Sequence, residues 1–255
     1  MKIYNTLSGE KDELERPTGR PLHLFVCGPT VYDYSHLGHA RTFFIYDTLV
    51  RYLRSKGWSV FYLQNITDVD DKIINRAKAE NKKPIALAHF FARAYERDMR
   101  ALGIDSVSKY ASASRFITQI IKQIKTLMDK GFAYEIPGDG IYFNIAKFPN
   151  YGKLSGRTAA QAEDGISRID EGVNKKNKGD FVLWKFPKQQ AKPGFFQNIR
   201  GFFVNPDGEP IWKTSLGWGR PGWHIEDTAI SESFFGPQYD IHGGAGELKF
   251  PHHEA

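Results

Sequence analysis

Only one of the 255 residues is cysteine, Cys27, and only three are methionine. A single thiol excludes an internal disulfide framework and is the ordinary cysteine usage of a reducing compartment. The N-terminus has no basic-then-apolar leader pattern, and no apolar run approaches the roughly 18 residues of a membrane span. The expectation is a cytoplasmic protein with no membrane partner. No internal repeat and no HExxH motif occur, which argues against a zinc hydrolase of that design. What is present is 41% apolar residues with 14% aromatics, enough for a sizeable core in one large or two small domains. The net charge of +6, from 35 basic and 29 acidic residues, favours a polyanionic partner, although so small an excess serves solubility equally well.

Leu22 to Val26 reads as a short buried strand. Residues from about His36 to Lys56 read as a helix, with Phe43, Tyr46, Val50 and Leu53 on one face. Gly57 suits its C-terminal end, with Arg51, Arg54 and Lys56 where the helix dipole favours cations. Trp58 to Leu63 then reads as a second strand, rich in aromatic and β-branched residues. Strand, helix and strand in this order predict a βαβ unit with a parallel sheet, whose ligand crevice lies at the C-terminal ends of the strands. Further helices are expected from Pro84 to about Leu102 and from Ile117 to near Gly131. From Phe132 to about Asp180 the pattern changes to short strands such as Gly140 to Asn144, separated by turn residues. Residues 173–179 read as a basic linker and 187–214 as a long irregular stretch.

Chemistry concentrates in Cys27-Gly-Pro-Thr-Val-Tyr-Asp-Tyr-Ser-His36-Leu-Gly-His39. Two histidines three apart on a first helical turn share a side, close to unpaired backbone N–H groups that attract phosphate, and Gly38 permits close approach. The same pair also reads as a capping histidine beside a core histidine, and Cys27 alone reads as a small hydrophobe at a strand end. Asp68, Asp70, Asp71 and Lys72 admit a magnesium site, but the better reading is that Thr67 or Asp68 caps a following helix whose first turn is acidic.

These segments occur together with Asn65-Ile-Thr-Asp-Val-Asp-Asp-Lys72, Gly219-Arg-Pro-Gly-Trp-His-Ile-Glu226 and Asp240-Ile-His-Gly-Gly244. In this order they closely resemble the cysteinyl-tRNA synthetases, class I aminoacyl-tRNA synthetases, from the N-terminus to the last residue. The resemblance implies an α/β fold: a Rossmann-type parallel sheet of the HUP-like class I catalytic domain, with an inserted α+β connective domain. The corresponding boundaries are 1–131 for the first catalytic half, 132–214 for the insertion and 215–255 for the start of the second half. It also implies a ligase that activates L-cysteine with ATP and magnesium as cysteinyl adenylate, then transfers it to the 3′ end of the tRNA for cysteine, acting as a monomer. His36, Gly38 and His39 match the family's HIGH signature, so they are the expected ATP-binding residues and both histidines the catalytic ones. Cys27, Gly28, Thr67, Trp223 and His242 match the cysteine pocket. Cys27, Asp227 and His252 match three zinc positions, and the fourth, a glutamate, would fall one residue beyond Ala255.

Two departures stand out. Asp227 occupies a position where the family usually has cysteine, which makes the donor set harder. The Lys-Met-Ser-Lys-Ser loop and the anticodon-binding helical bundle do not occur, so the expectation is a fragment ending inside the catalytic domain and severely impaired in cysteine activation. The rival readings are a ligase that transfers cysteine to an amino sugar by the same adenylate chemistry, and a non-catalytic zinc- or cysteine-binding module.

Overall fold

A computed structural model describes residues 1–157, 174–188 and 201–254. It opens with an antiparallel hairpin, β1 (Lys2–Asn5) and β2 (Glu10–Glu13). The principal sheet is parallel and contains β3 (Leu22–Val26), β4 (Val60–Ile66), β5 (Lys109–Ser112) and β12 (Ile241–Gly243), in the order β12-β3-β4-β5. Successive strands thus run outward from β3 to β5, and the chain then returns to the other side of β3. That reversal is the topological switch point of a doubly wound sheet, where ligands settle beyond the strands' carboxyl ends.

Alternation along β3 assigns its two faces. Leu22, Leu24 and Val26 join a core built with Phe43, Val50 and Leu53 of α1 (Leu37–Ser55) and Leu87, Phe91 and Met99 of α3 (Pro84–Ala101). Phe25 and Cys27 join the opposite core with Leu63, Ala111 and Ile230. A period of two places consecutive side chains on opposite faces, and burial on both faces accounts for the nearly continuous apolar run of β3.

The βαβ prediction therefore holds, with β4 shifted toward Ile66 because Gly57, at φ +77°, carries the chain out of α1 before pairing begins. Helix α2 (Asp71–Ala79) is capped by Asp70, whose carboxylate accepts from the Lys72 N–H at 2.7 Å. Neither Thr67 nor Asp68 caps it, because the Thr67 hydroxyl is committed to Glu226 and the Asp68 carboxylate to Ser114.

A second, antiparallel sheet has the order β6-β7-β8-β11-β10-β9, from Ala133 to Pro221. Its strands are β6 (Ala133–Ile136), β7 (Gly140–Phe143), β8 (Phe181–Lys185), β9 (Phe203–Val204), β10 (Pro210–Thr214) and β11 (Gly217–Pro221). Helix α4 (Ile117–Asp129) contributes Ile120, Ile121 and Ile124 to the same core. The stretch expected to be irregular over 187–214 thus contains two strands, while residues 189–200 and Val173 lie outside the described residues. Its turn residues concealed the strands, since Ile211 and Trp212 are the only adjacent apolar pair in β10. Helix α5 (Trp223–Phe235) follows β11 directly and leads to β12. Among the described residues no helix is long and apolar enough to cross a membrane.

Candidate metal and nucleotide site

Cys27 leaves the end of β3 at the switch point, where its N–H donates to the Gly243 carbonyl of β12 at 2.9 Å. The 27–31 loop then continues the parallel ladder alongside β4, with Thr67 N–H donating to Pro29 and Val31 N–H to Thr67. This fixes Cys27, Gly28 and Thr67 at one end of the sheet. From the other direction, α5 starts immediately after Gly222, so its first turns carry Trp223 and Asp227 to the same place.

The result is a buried trio. Cys27, Asp227 and His252 each offer a ligand atom, and these atoms lie within 4.8 Å of one another. His252 Nε2 is 3.4 Å from Cys27 Sγ and 3.1 Å from Asp227 Oδ2. Beyond that ion-pair contact the latter oxygen makes no hydrogen bond of standard geometry despite its burial, and buried oxygens so poorly satisfied are uncommon in folded proteins. A sulfur, an imidazole nitrogen and a carboxylate oxygen converging at this range form a donor set that could hold a metal ion. Among the described residues no other cluster of this kind occurs.

The electrostatics agree. Burial, with Asp227 alongside, pushes the Cys27 thiol well up. Burial pushes the Asp227 carboxyl up as well, but the His252 imidazole beside it outweighs that and leaves the carboxyl below its ordinary value. His224, whose Nδ1 lies 3.0 Å from that of His252, is held well below the usual histidine range by burial and then by that neighbour.

The other residues expected at a cysteine pocket make contacts of their own at this end of the sheet. Trp223 stacks on the His252 ring with centroids 3.9 Å apart and planes at 13°. His242 Nε2 lies 3.0 Å from His253 Nδ1, and its Nδ1 lies 2.7 Å from the Tyr239 hydroxyl. The Thr67 hydroxyl donates to the fully buried Glu226. Gly28 has no room for a side chain: a Cβ there would lie 1.8 Å from the Asn65 carbonyl oxygen.

His36, Gly38 and His39 occupy the N-terminus of α1. His36 Nδ1 accepts from the Gly38 N–H at 3.0 Å, and His39 Nδ1 accepts from the His36 N–H at 3.3 Å, making a capping box of two stacked histidines. The capping half of the structural reading is therefore met, but His39 is half-buried and shares the cap rather than joining the core. The cap also fixes chemistry, because each Nδ1 acts as acceptor and each ring consequently carries its proton on Nε2. Tyr46, farther along α1, binds both the Gly244 carbonyl and the Gly244 N–H, tying the helix to the loop after β12.

The three aspartates after Thr67 do not converge. Asp68 binds Ser114, Asp70 caps α2, and Asp71 pairs with Arg220 and Lys185 of the second sheet. A magnesium site is thus not built there. Asn65 is the residue that motif reading missed: its Oδ1 accepts from Gly28 N–H and its Nδ2 donates to Asp227, each at 2.6 Å. Its only signal was a pair of amides, Gln64 and Asn65, in an otherwise apolar strand.

Comparison with known proteins gives a consistent picture. Residues 14–255 match the family model described as the tRNA synthetases class I (C) catalytic domain. The chain is 48% identical over 255 residues to the cysteine–tRNA ligase of Thermoplasma acidophilum, covering all of this chain and 52% of that protein. The enzymes of the same name from Pyrococcus horikoshii and Heliobacterium modesticaldum are each 44% identical over 254 residues, covering all of this chain and 49% of each. The chain spans about half the length of the curated relatives it matches. With the family model covering all but the first thirteen residues, the chain belongs to the class I (C) tRNA synthetase catalytic-domain family.

Proposed function

We propose that this chain is the N-terminal catalytic portion of a cysteine–tRNA ligase, which activates L-cysteine with magnesium-ATP and transfers it to the 3′ end of its tRNA. The observation that carries the reading is the convergence of Cys27, Asp227 and His252 at the switch point of the parallel sheet. The relatives named for this activity support it.

Cys27, Asp227 and His252 hold zinc, which when bound bonds sulfur far more strongly than a hydroxyl oxygen and so separates cysteine from serine. Trp223 and His242 wall the pocket, Gly28 lets the Cys27 loop lie directly against β4, and Thr67, held by Glu226, presents its hydroxyl oxygen as an acceptor. His36 and His39 turn their Nε2–H donors toward the phosphates of ATP, which come to rest at the N-terminus of α1 beside Gly38. Charge developing on the α-phosphate during attack by the carboxylate of cysteine is stabilised by those donors. The second sheet serves as the connective insertion, 132–214, between the catalytic halves 1–131 and 215–255, with β11 extending its sheet. The protein acts as a cytoplasmic monomer, and its positive charge favours tRNA.

Cysteine-dependent ATP–pyrophosphate exchange by the full-length protein containing this chain tests the proposal. Exchange with cysteine and none with serine is expected. Exchange with another amino acid, or none with cysteine in the zinc-loaded full-length protein, overturns it.

A further inference from the structure

The aspartate at position 227 has a partner that converts it into a one-oxygen ligand. Asn65, fully buried in β4, is gripped at both ends of its amide. Gly28 N–H can only donate, so the amide oxygen faces Gly28 and the amide nitrogen must face Asp227, which fixes the orientation of the group. Asp227 Oδ1 therefore receives the Asn65 N–H at 2.6 Å, while Oδ2 makes no hydrogen bond of standard geometry and has only its contact with His252 Nε2, at 3.1 Å.

The geometry points to Asn65 as the positioning residue of the metal centre: it occupies one carboxylate oxygen of Asp227 and so presents the other to the ion as a single, directed donor. The inference rests on the zinc reading of the trio. A carboxylate free at both oxygens can rotate or chelate with both, and carboxylate ligands are oriented by such outer hydrogen bonds. A thiolate donates through its one sulfur and has no second oxygen to restrain. Asn65 also links the loop that carries Cys27 to the helix that carries Asp227, so one amide sets the spacing of two donors contributed by distant parts of the chain.

The test is zinc affinity of the full chain, measured by competition with a chromophoric chelator, for Asn65→Ala alone and in an Asp227→Cys background. Asn65→Ala is expected to weaken zinc about 10- to 100-fold where Asp227 is present, and less than about 3-fold where Cys replaces it. Asn65→Asp, which keeps an acceptor for Gly28 N–H and exchanges the donor for a carboxylate oxygen that repels Asp227, covers the case in which the alanine variant does not fold. It too should lose about 10-fold or more. Cobalt-loaded chain adds a readout: visible bands of four-coordinate intensity should weaken in Asn65→Ala as Asp227 chelates with both oxygens. Equal losses in both backgrounds would reduce Asn65 to a support for the Gly28 loop and overturn the inference, and so would no loss in either; the zinc reading would survive both results. An unsubstituted chain that holds no zinc would overturn the two together.

Discussion

Gly28→Ala should damage the fold and the metal centre through one contact. The added Cβ would lie 1.8 Å from the Asn65 carbonyl oxygen. Ordinary carbon–oxygen approach stops at about 3.3 Å, so β4 and the 27–31 loop must separate by about 1.5 Å. The obstacle is backbone inside a parallel ladder and cannot swing aside. Overpacking of this kind costs about 1–3 kcal/mol, and stretching the 2.6 Å bond from Gly28 N–H to Asn65 removes roughly another 1 kcal/mol, for a total of about 2–4 kcal/mol. Urea unfolding of the metal-stripped chain should show that loss as a lower midpoint at unchanged slope. Gly38→Ala is the control, because its Cβ would meet no other backbone but only the His36 ring, 2.8 Å away, and displacing that ring costs no more than its capping bond, about 1 kcal/mol. It should change stability by less than about 1 kcal/mol, since alanine is also the better helix residue. A Gly28→Ala chain as stable as Gly38→Ala would refute the steric argument and with it the tight β4–loop junction.

Asp47→Ala should cost about 2–4 kcal/mol, because the buried carboxylate accepts from Asp105 and Ser106 N–H and pairs with Arg51 at 2.5 Å, and its loss leaves two backbone donors unmet. Burial raises its pKa, but Arg51 and Ser106 outweigh that and hold it below the ordinary value. Its contribution is therefore complete above about pH 4 and disappears as pH falls through the folded value, so the gap between parent and variant should close in acid-denaturation curves. His36→Ala should lose about 1 kcal/mol of stability with its cap, whereas His36→Asn should restore the thermal midpoint but, under the proposed role of the Nε2–H donor, not cysteine activation by the full-length protein. Equal activity in the asparagine variant and the parent would remove His36 from the chemistry. Trp223→Ala should leave the half-buried start of α5 folded but release the stacked His252 ring, weakening zinc by about an order of magnitude in chelator competition. Undiminished zinc affinity would show that the stack does not orient His252.

The βαβ frame was legible because its signals are local. Leu22–Val26 is apolar at every position but His23, and α1 carries Phe43, Val50 and Leu53 at helical spacing before a positive-φ glycine. The N-terminal hairpin was not, since Lys2–Asn5 and Glu10–Glu13 have no apolar alternation and are held by pairing with each other. Thr67 and Asp68 looked like caps because both precede an acidic turn, but tertiary partners 159 and 46 residues away claimed their side chains first. Motif resemblance carried Cys27, Asp227 and His252 to one point that spacing alone could not, as 200 residues separate Cys27 from Asp227. Asn65 escaped because its role exists only after β4, the 27–31 loop and α5 have assembled.

Metal content combined with calorimetry of cysteine binding decides the matter most directly, with serine as the control and zinc-stripped and zinc-restored chain compared. One zinc per chain is predicted, with cysteine binding that vanishes on chelation, returns with zinc, and exceeds serine binding by at least about 100-fold. Cysteine bound equally well by zinc-stripped chain would contradict a metal-thiolate site at Cys27, Asp227 and His252.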